Sequence, residues 1–306
     1  MNDLASRIAS LPPEKRALLE QRLAGASGRA APPASIPRRG DREAPLSFAQ
    51  QRLWFLEQLE PGSPLYNVPE VLSLEGPLDI PALESALRAV VSRHEVLRTS
   101  FGGVNGEARA RVEDVTVPLP VVDLTAEPAD RREAEARQAA AADAETPFDL
   151  RRAPLLRARL FRLAPERHWL VLTMHHIVCD EWSMGVLFSE LSRLYRPGIA
   201  ARPDDLSPLP VQYGDVAAWQ RQTASGPRLD EDLAYWKARL SGDPPAISLP
   251  FDRARPAMPS HRGADYRRRL RPALTAALED LSRREGATLF MTVLAAFDVL
   301  LSRYSG

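Results

Sequence analysis

The residues best suited to chemistry in this sequence form one short run, His175-His176-Ile177-Val178-Cys179-Asp180, directly after an apolar stretch. Because imidazole titrates near pH ~6.5, a histidine beside a pocket can accept a proton at neutral pH. Asp180 comes close to His176 only if the chain turns at once, and its carboxylate would then orient the ring or pair with an arginine elsewhere. Taken alone, the run favours a plainer interpretation, in which one histidine is buried and the other is exposed and idle.

The elements around this run indicate a mixed α/β protein. HWLVLTMHHIV is predicted to be a strand that pairs with LLRARLFRLA through an APER turn. After it, apolar residues recur at helical spacing, which predicts a helix that starts at Met184 and is capped by Ser183. A strand end followed by a helix start is a common place for chemistry in α/β folds. The site is therefore expected at this strand end.

Similar patterns predict the remaining elements. Ser47 is expected to cap a helix over 46–59, and further helices are predicted over 81–92, 128–145, 213–223, 229–240, 272–285 and 289–302. Strands are predicted over 68–76, at two places within 108–124, and over 264–271. Residues 1–24 are predicted to be a helical leader or docking element, and residues 25–43, rich in Ala, Pro, Gly and Arg, a flexible linker.

Composition excludes several classes of partner. Lysine plus arginine and aspartate plus glutamate each number 40, so no net charge attracts nucleic acid or a membrane surface. The single cysteine, Cys179, excludes an internal disulfide and suits a reducing cytosol. No signal peptide, no run of about 18 apolar residues, and no metal, nucleotide or flavin motif is found. The protein is expected to be cytoplasmic and to bind no metal.

Four segments, in order, resemble the signature motifs of condensation domains of non-ribosomal peptide synthetases. They are Ser47–Leu56 (SFAQQRLWFL), Arg93–Phe101 (RHEVLRTSF), Met174–Ser183 (MHHIVCDEWS) and Tyr213–Trp219 (YGDVAAW). The first motif is more similar to the subtype that takes an L-configured or ketide-derived donor. In the third motif this sequence has Glu181 where the family usually has glycine, so a charged side chain is expected near the floor of the tunnel, on the side of the acceptor substrate.

The resemblance implies a chloramphenicol-acetyltransferase-like α/β fold of two lobes with a tunnel between them. Residues 44–225 would form the N-terminal lobe and residues 226–306 the start of a C-terminal lobe that is incomplete here. With no sheet to cover its apolar helices, the 306-residue chain is expected to be poorly soluble and inactive alone.

The resemblance also assigns roles to residues. His176 matches the catalytic histidine, as general base or as the group that holds the amine, with His175 and Asp180 as supports of its loop. Candidate binding residues are Glu181, Trp182 and Ser183, and candidate structural supports are Arg98, Ser47 and Arg52. An ion pair between Arg98 and Asp180 is one expectation, and a packing role for Cys179 is another.

The implied reaction is amide formation between a carrier-bound acyl thioester and the α-amine of a carrier-bound aminoacyl group. The partners would be donor and acceptor carrier proteins, which supply the phosphopantetheine arm, and an upstream synthetase subunit docked through residues 1–24. Two alternatives stay open: an ester-forming acyltransferase that shares the HHxxxD element, and a module that binds carriers without turnover.

The other histidines and the tryptophans lie outside the predicted chemistry. His94 is expected to be a structural histidine at a helix end, and His168 and His261 are expected at the surface. Trp54, Trp182, Trp219 and Trp236 are more often core residues than ligand platforms.

Overall fold

The computed structural model describes residues 36–104, 107–224, 226–242, 246–254, 256–257, 263–264 and 266–305. The predicted leader over 1–24, the first part of the predicted linker, and His261 lie outside the described residues. The chain divides into two compact units, with the boundary between Ser225 and Gly226.

The N-terminal unit contains both strands and helices. Its strands are β1 (Glu43–Pro45), β2 (Asn67–Glu75), β3 (Thr99–Val104), β4 (Glu107–Val112), β5 (Val121–Asp123), β6 (Leu156–Ala164) and β7 (Arg167–His175). Its helices are α1 (Phe48–Leu59), α2 (Ile80–Arg93), α3 (Ala129–Glu145), α4 (Glu181–Leu194) and α5 (Tyr213–Thr223). Short 3₁₀ turns cover Pro64–Tyr66, Glu95–Arg98 and Pro203–Asp205.

The strands form two sheets. The four-stranded sheet has the order β2-β7-β6-β5, antiparallel except for the parallel pair of β5 and β6. The three-stranded sheet has the order β1-β4-β3 and is antiparallel throughout. The predicted pairing of β6 with β7 is confirmed, with Leu160 opposite Leu170. This places the predicted site at the end of a central strand.

Residues of β6 and β7 alternate between two apolar layers, as the two-residue period of a strand requires. Leu160, Leu170 and Leu172 pack with residues of α2 and α4 in one core cluster. Phe161 and Val171, which point to the opposite face, pack with Ala136 and Ala140 of α3 in another cluster. A third cluster lies at the strand end and includes Leu53, Phe101, Phe148 and Ile177. With both faces covered, β7 has a fixed position.

The end of the predicted linker is ordered, so its boundary at residue 43 was wrong. The backbone N–H of Arg39 donates to Asp215 Oδ1 (2.9 Å), and the carbonyl of Arg42 accepts from Val112 (2.9 Å). Glu43 already belongs to β1, which pairs with β4. These partners lie far along the chain, so local composition carries no sign of them.

Most other predicted elements are confirmed to within a few residues, including the Ser47 cap of α1. Strands β1 and β3 were missed. Strand β1 has only three residues, and β3 contains Gly102-Gly103, which is unfavourable in strands. Both depend on backbone hydrogen bonds to β4 rather than on their own sequence.

The C-terminal unit contains α6 (Pro227–Arg239), α7 (Pro272–Arg284) and α8 (Leu289–Ser305). The strand predicted over 264–271 is wrong, since the described residues of that range have no regular structure. Among the described residues of this unit, only Ser282 is buried, whereas Phe290 is 73% exposed. No single described helix is long and apolar enough to cross a membrane, although α7 and α8, bent by 104°, meet the length and composition criteria as a pair.

Candidate active site

Strand β7 ends at His175, which is 2% exposed. Its N–H donates to the Leu155 carbonyl (3.1 Å), and its Nδ1 accepts from the Ile177 N–H (3.1 Å). The rings of Tyr66 and Phe148 lie 6.2 and 6.3 Å from the His175 ring. Burial, with a smaller contribution from His176, lowers the pKa of His175 from 6.5 to about 4. His175 is therefore a neutral ring at physiological pH that holds the start of the turn.

His176, in contrast, is exposed. Its N–H donates to the Tyr66 carbonyl (2.8 Å), and its Nδ1 lies 2.6 Å from the carbonyl oxygen of Cys179. A carbonyl oxygen can only accept, so Nδ1 must carry the proton. The basic lone pair of the neutral ring is then on Nε2. The two adjacent histidines thus have opposite environments and opposite tautomers.

Cys179 closes the turn but is not suited to nucleophilic chemistry. Its side chain is buried, and its Sγ donates weakly to the His175 carbonyl (3.5 Å). Burial, followed by the charges of Asp180 and Glu70, raises the pKa of the thiol to about 12. A thiol that stays protonated at neutral pH fits the predicted packing role.

Asp180, rather than Ser183, caps α4, and the helix begins at Glu181. The Asp180 Oδ1 accepts from the Ser183 N–H (2.8 Å), and the Asp180 N–H donates to Ser183 Oγ (2.7 Å). The prediction was wrong by one turn because both residues are good caps and only the path of the chain decides between them. The Ser183 hydrogen bond is the largest cause that lowers the pKa of Asp180, and the His176 charge adds to it. Asp180 supports the loop by starting the helix.

The predicted ion pair between Arg98 and Asp180 is not formed. The Arg98 guanidinium donates instead to the carbonyls of Val91 (3.2 Å), Ser92 (3.1 Å) and Glu113 (3.2 Å). Because it meets the free carbonyls at the end of α2, Arg98 stabilises the helix end rather than the histidine loop.

The first turn of α4 carries the three predicted binding residues. Glu181 and Trp182 are exposed, and Ser183 is half-buried because it faces the cap. Trp182 is 84% exposed and Trp236 is 57% exposed, so the expectation that both are core residues was wrong. Beside this turn lies an apolar cavity of about 150 Å³, lined among others by His94, Val178, Cys179, Trp182 and Ser183.

Helix α1 touches the loop through a residue that the sequence analysis did not single out. Gln50 is 4% exposed and donates from Nε2 to the Ile177 carbonyl (3.3 Å). Ser47 caps α1, and its Oγ lies 3.1 Å from the Tyr213 hydroxyl, while its role as a support of the site stays a prediction. Arg52 is exposed, and no hydrogen bond or ion pair joins it to the described residues. Its predicted supporting role is therefore not found in the described part of the chain.

Two further histidines lie outside the site. His94 follows α2 and its Nε2 lies 2.7 Å from Glu190 of α4, as suits the structural role predicted for it. His168 is 2% exposed, so its predicted surface position was wrong, and burial lowers its pKa. It lies on β7, a central strand of the sheet, so its side chain is buried although it is polar. The described residues contain no group of three or more His, Cys, Asp or Glu placed to hold a metal ion.

Comparison with known proteins identifies this arrangement. Residues 41–306 match the condensation domain family. The chain belongs to this family of non-ribosomal peptide synthetase domains. Phosphinothricin tripeptide synthetase PhsC of Streptomyces viridochromogenes is 48% identical over 309 residues, covering 100% of this chain and 28% of that protein. Malpibaldin synthetase of Mortierella alpina is 43% identical over 261 residues, covering 85% of this chain and 5% of that protein.

Solved structures confirm the chloramphenicol-acetyltransferase-like α/β fold of this condensation domain. The X-domain from teicoplanin biosynthesis has a TM-score of 0.74 and 35% identity, covering 89% of this chain and 59% of that one. The same X-domain in complex with OxyB matches with a TM-score of 0.72 and 33% identity, covering 90% of this chain and 60% of that one. The starter condensation domain of rhizomide synthetase RzmA has a TM-score of 0.58 and 26% identity, covering 65% and 48%. The condensation domain described here thus spans about half to three fifths of these solved chains.

Proposed function

We propose that this condensation domain joins a carrier-bound acyl thioester to the α-amine of a carrier-bound aminoacyl group, with His176 as the catalytic residue. The amine nitrogen attacks the thioester carbonyl and loses a proton to His176 Nε2. A carbon–nitrogen bond forms, the carbon–sulfur bond of the tetrahedral intermediate breaks, and the sulfur leaves as a thiol with the proton that His176 Nε2 returns. His176 thereby acts as a general base, the first of the two roles that the sequence leaves open.

The observation that supports this proposal most strongly is the tautomer of His176. With Nδ1 held by the Cys179 carbonyl at 2.6 Å, the lone pair of the exposed ring lies on Nε2. A free α-amine has a pKa near ~8 and is mostly protonated at neutral pH, so amide formation needs a group that takes up protons. His175 and Asp180 contribute indirectly, by holding the turn on either side of the ring.

The substrates are proposed to arrive on the phosphopantetheine arms of donor and acceptor carrier proteins. The thioester sulfur of such an arm is the leaving group of this reaction, so the domain itself needs no cofactor. We propose Glu181 and Trp182, both exposed in the first turn of α4, as contacts for the arriving groups. Docking of an upstream subunit through residues 1–24, and the L-donor subtype, are further parts of this proposal.

The test is turnover of a two-lobe protein that contains this chain. We expect His176→Ala to lower amide formation by about 10²-fold or more, the usual scale for a lost acid–base group. His175→Asn is the matched control, because its amide oxygen can replace Nδ1 as the acceptor for the Ile177 N–H. A folded His176→Ala protein with near-normal turnover would overturn the assignment.

A second candidate function is a module that binds partners without turnover. It is favoured by the likeness to the teicoplanin X-domain, which is known in complex with OxyB. One measurement, amide formation, distinguishes the two functions. A binding module would capture carrier proteins, but neither the parent protein nor the His176→Ala variant would form an amide. Use of a hydroxyl acceptor in place of the amine would instead indicate the ester-forming alternative.

A further inference from the structure

One buried side chain connects helix α1 to the histidine loop. Gln50 lies in the first turn of α1, where its Oε1 accepts from the Ser47 N–H (3.1 Å) as part of the helix cap. Its Nε2 donates to the carbonyl of Ile177 (3.3 Å), the residue directly after His176. The two ends of the Gln50 amide therefore serve different purposes. One completes the cap, and the other holds the loop.

Hydrogen bonds hold the peptide groups before and after His176. Before the ring, the His176 N–H donates to the Tyr66 carbonyl (2.8 Å). The first peptide group after it is held by the Ile177 N–H, which donates to His175 Nδ1 (3.1 Å). The second is held at the Ile177 carbonyl by Gln50, and at the Val178 N–H by the His175 carbonyl (3.0 Å). Within this turn the His176 ring reaches the Cys179 carbonyl at 2.6 Å.

We propose that Gln50 is a positioning residue that acts through the Ile177 carbonyl to keep His176 in the tautomer with its lone pair on Nε2. This inference rests on the proposed function of His176. Gln50 is 4% exposed, so a lost partner cannot readily be replaced by water, and the peptide that carries the Ile177 carbonyl would be held by its Val178 N–H end alone. Displacement of a catalytic group by about 1 Å can lower a rate by about 10²-fold.

The substitution Gln50→Glu separates the two roles of this side chain. The introduced carboxylate keeps an oxygen that can accept from the Ser47 N–H, so the helix cap survives. At the other end an ionised carboxylate has an acceptor where the amide had a donor, which breaks the bridge to the Ile177 carbonyl. A protonated carboxyl group would donate to this carbonyl and keep the bridge, so Gln50→Met, which has no donor, is made beside it.

Gln51→Glu is the matched control, since it makes the same change one residue further along α1. Gln51 is exposed, and its Oε1 accepts from Arg221 (2.5 Å), a contact that a carboxylate retains.

Two readouts test the proposal. The first is the ¹⁵N spectrum of the His176 imidazole in this chain, which reports which ring nitrogen carries the proton. The second is the turnover number and the acceptor half-saturation of a two-lobe protein. We expect Gln50→Glu to mix the two tautomers and to lower turnover about tenfold or more, with half-saturation within about twofold. Gln51→Glu should match the parent in both readouts.

The outcomes decide between the proposals. A folded Gln50→Met protein that keeps the parent tautomer overturns the positioning role. A changed tautomer with unchanged turnover supports the positioning role and overturns the catalytic role of His176. Gln50→Met removes the same donor without adding charge, in case Gln50→Glu does not fold. If neither variant folds while Gln51→Glu does, Gln50 supports the fold as a whole and the inference is wrong.

Discussion

The two units differ in what their apolar side chains contact. In the N-terminal unit, Leu160 and Leu170 are at most 1% exposed because helices cover both faces of their sheet. In the C-terminal unit, Phe290 is 73% and Phe297 is 52% exposed, although α8 is more apolar than each described α-helix of the N-terminal unit. An apolar face stabilises a fold only when another layer covers it. A helix can therefore be clear in the sequence and still contribute little to stability.

The largest difference that we expect between the two units is in the cooperativity of their unfolding. We expect residues 36–225 alone to unfold in one cooperative urea transition, with a free energy of unfolding in the usual range of about 5–15 kcal/mol. Residues 226–306 alone should show no such transition and should bind a hydrophobic dye, because their apolar residues are exposed. Circular dichroism and dye fluorescence measure both. A sharp transition for the second fragment would remove the difference between the units.

The same contrast can be tested with one substitution made in both units. Leu160→Ala, at a residue that is 0% exposed, should lower the free energy of unfolding by about 2–5 kcal/mol. Leu294→Ala, at a residue that is 43% exposed, should change it by no more than about 0.5 kcal/mol. Urea denaturation of the whole chain gives both values. Equal effects would show that α8 is buried in solution.

Burial in the N-terminal unit should also couple stability to pH through His175. Its pKa is lowered from 6.5 to about 4, so between these values the unfolded chain binds more protons than the folded one. The free energy of unfolding should thus fall as the pH drops through this window, by up to about 3 kcal/mol at its lower end.

His175→Asn removes this titration and should flatten that part of the profile. His168 and the carboxyl groups of Asp79, Asp114, Asp123 and Asp180, whose pKa values are also lowered, remain in both proteins and contribute the residual slope. His176→Asn, a change at an exposed histidine, should not remove the fall in the free energy of unfolding that accompanies the drop in pH. Parallel profiles for the parent and His175→Asn would show that His175 is not buried in solution.

The smallest effect is expected at Glu181. Its carboxylate lies in the first turn of α4, where it interacts favourably with the helix dipole. Glu181→Gln should lower the free energy of unfolding by about 0.3–1 kcal/mol, and added salt should reduce the difference. Asp230→Asn makes the same change in the first turn of α6, in the C-terminal unit, and should have no measurable effect on the main transition. A larger loss for Asp230→Asn would contradict the comparison of the two units.

The sequence predicted the elements whose signals are local. The apolar run of β7, the stripe of α4 and the Ser47 cap depend on near neighbours, so their periodicity and residue types are sufficient. The failures depend on distant partners. Strands β1 and β3 exist because of β4, and the ordered end of the predicted linker is held by Asp215 and Val112. Composition could not distinguish these cases.

The sequence by itself determined the family, through four motifs in order, and the strand end that carries the histidine pair. Only the tertiary structure decided which groups each histidine contacts. The buried ring of His175 accepts from the Ile177 N–H, whereas the exposed ring of His176 donates to the Cys179 carbonyl. Adjacent and identical in type, the two residues differ because one lies inside the core and the other lies on the turn that leaves it. The tautomer of each ring is set by the peptide group that the folded turn brings to it.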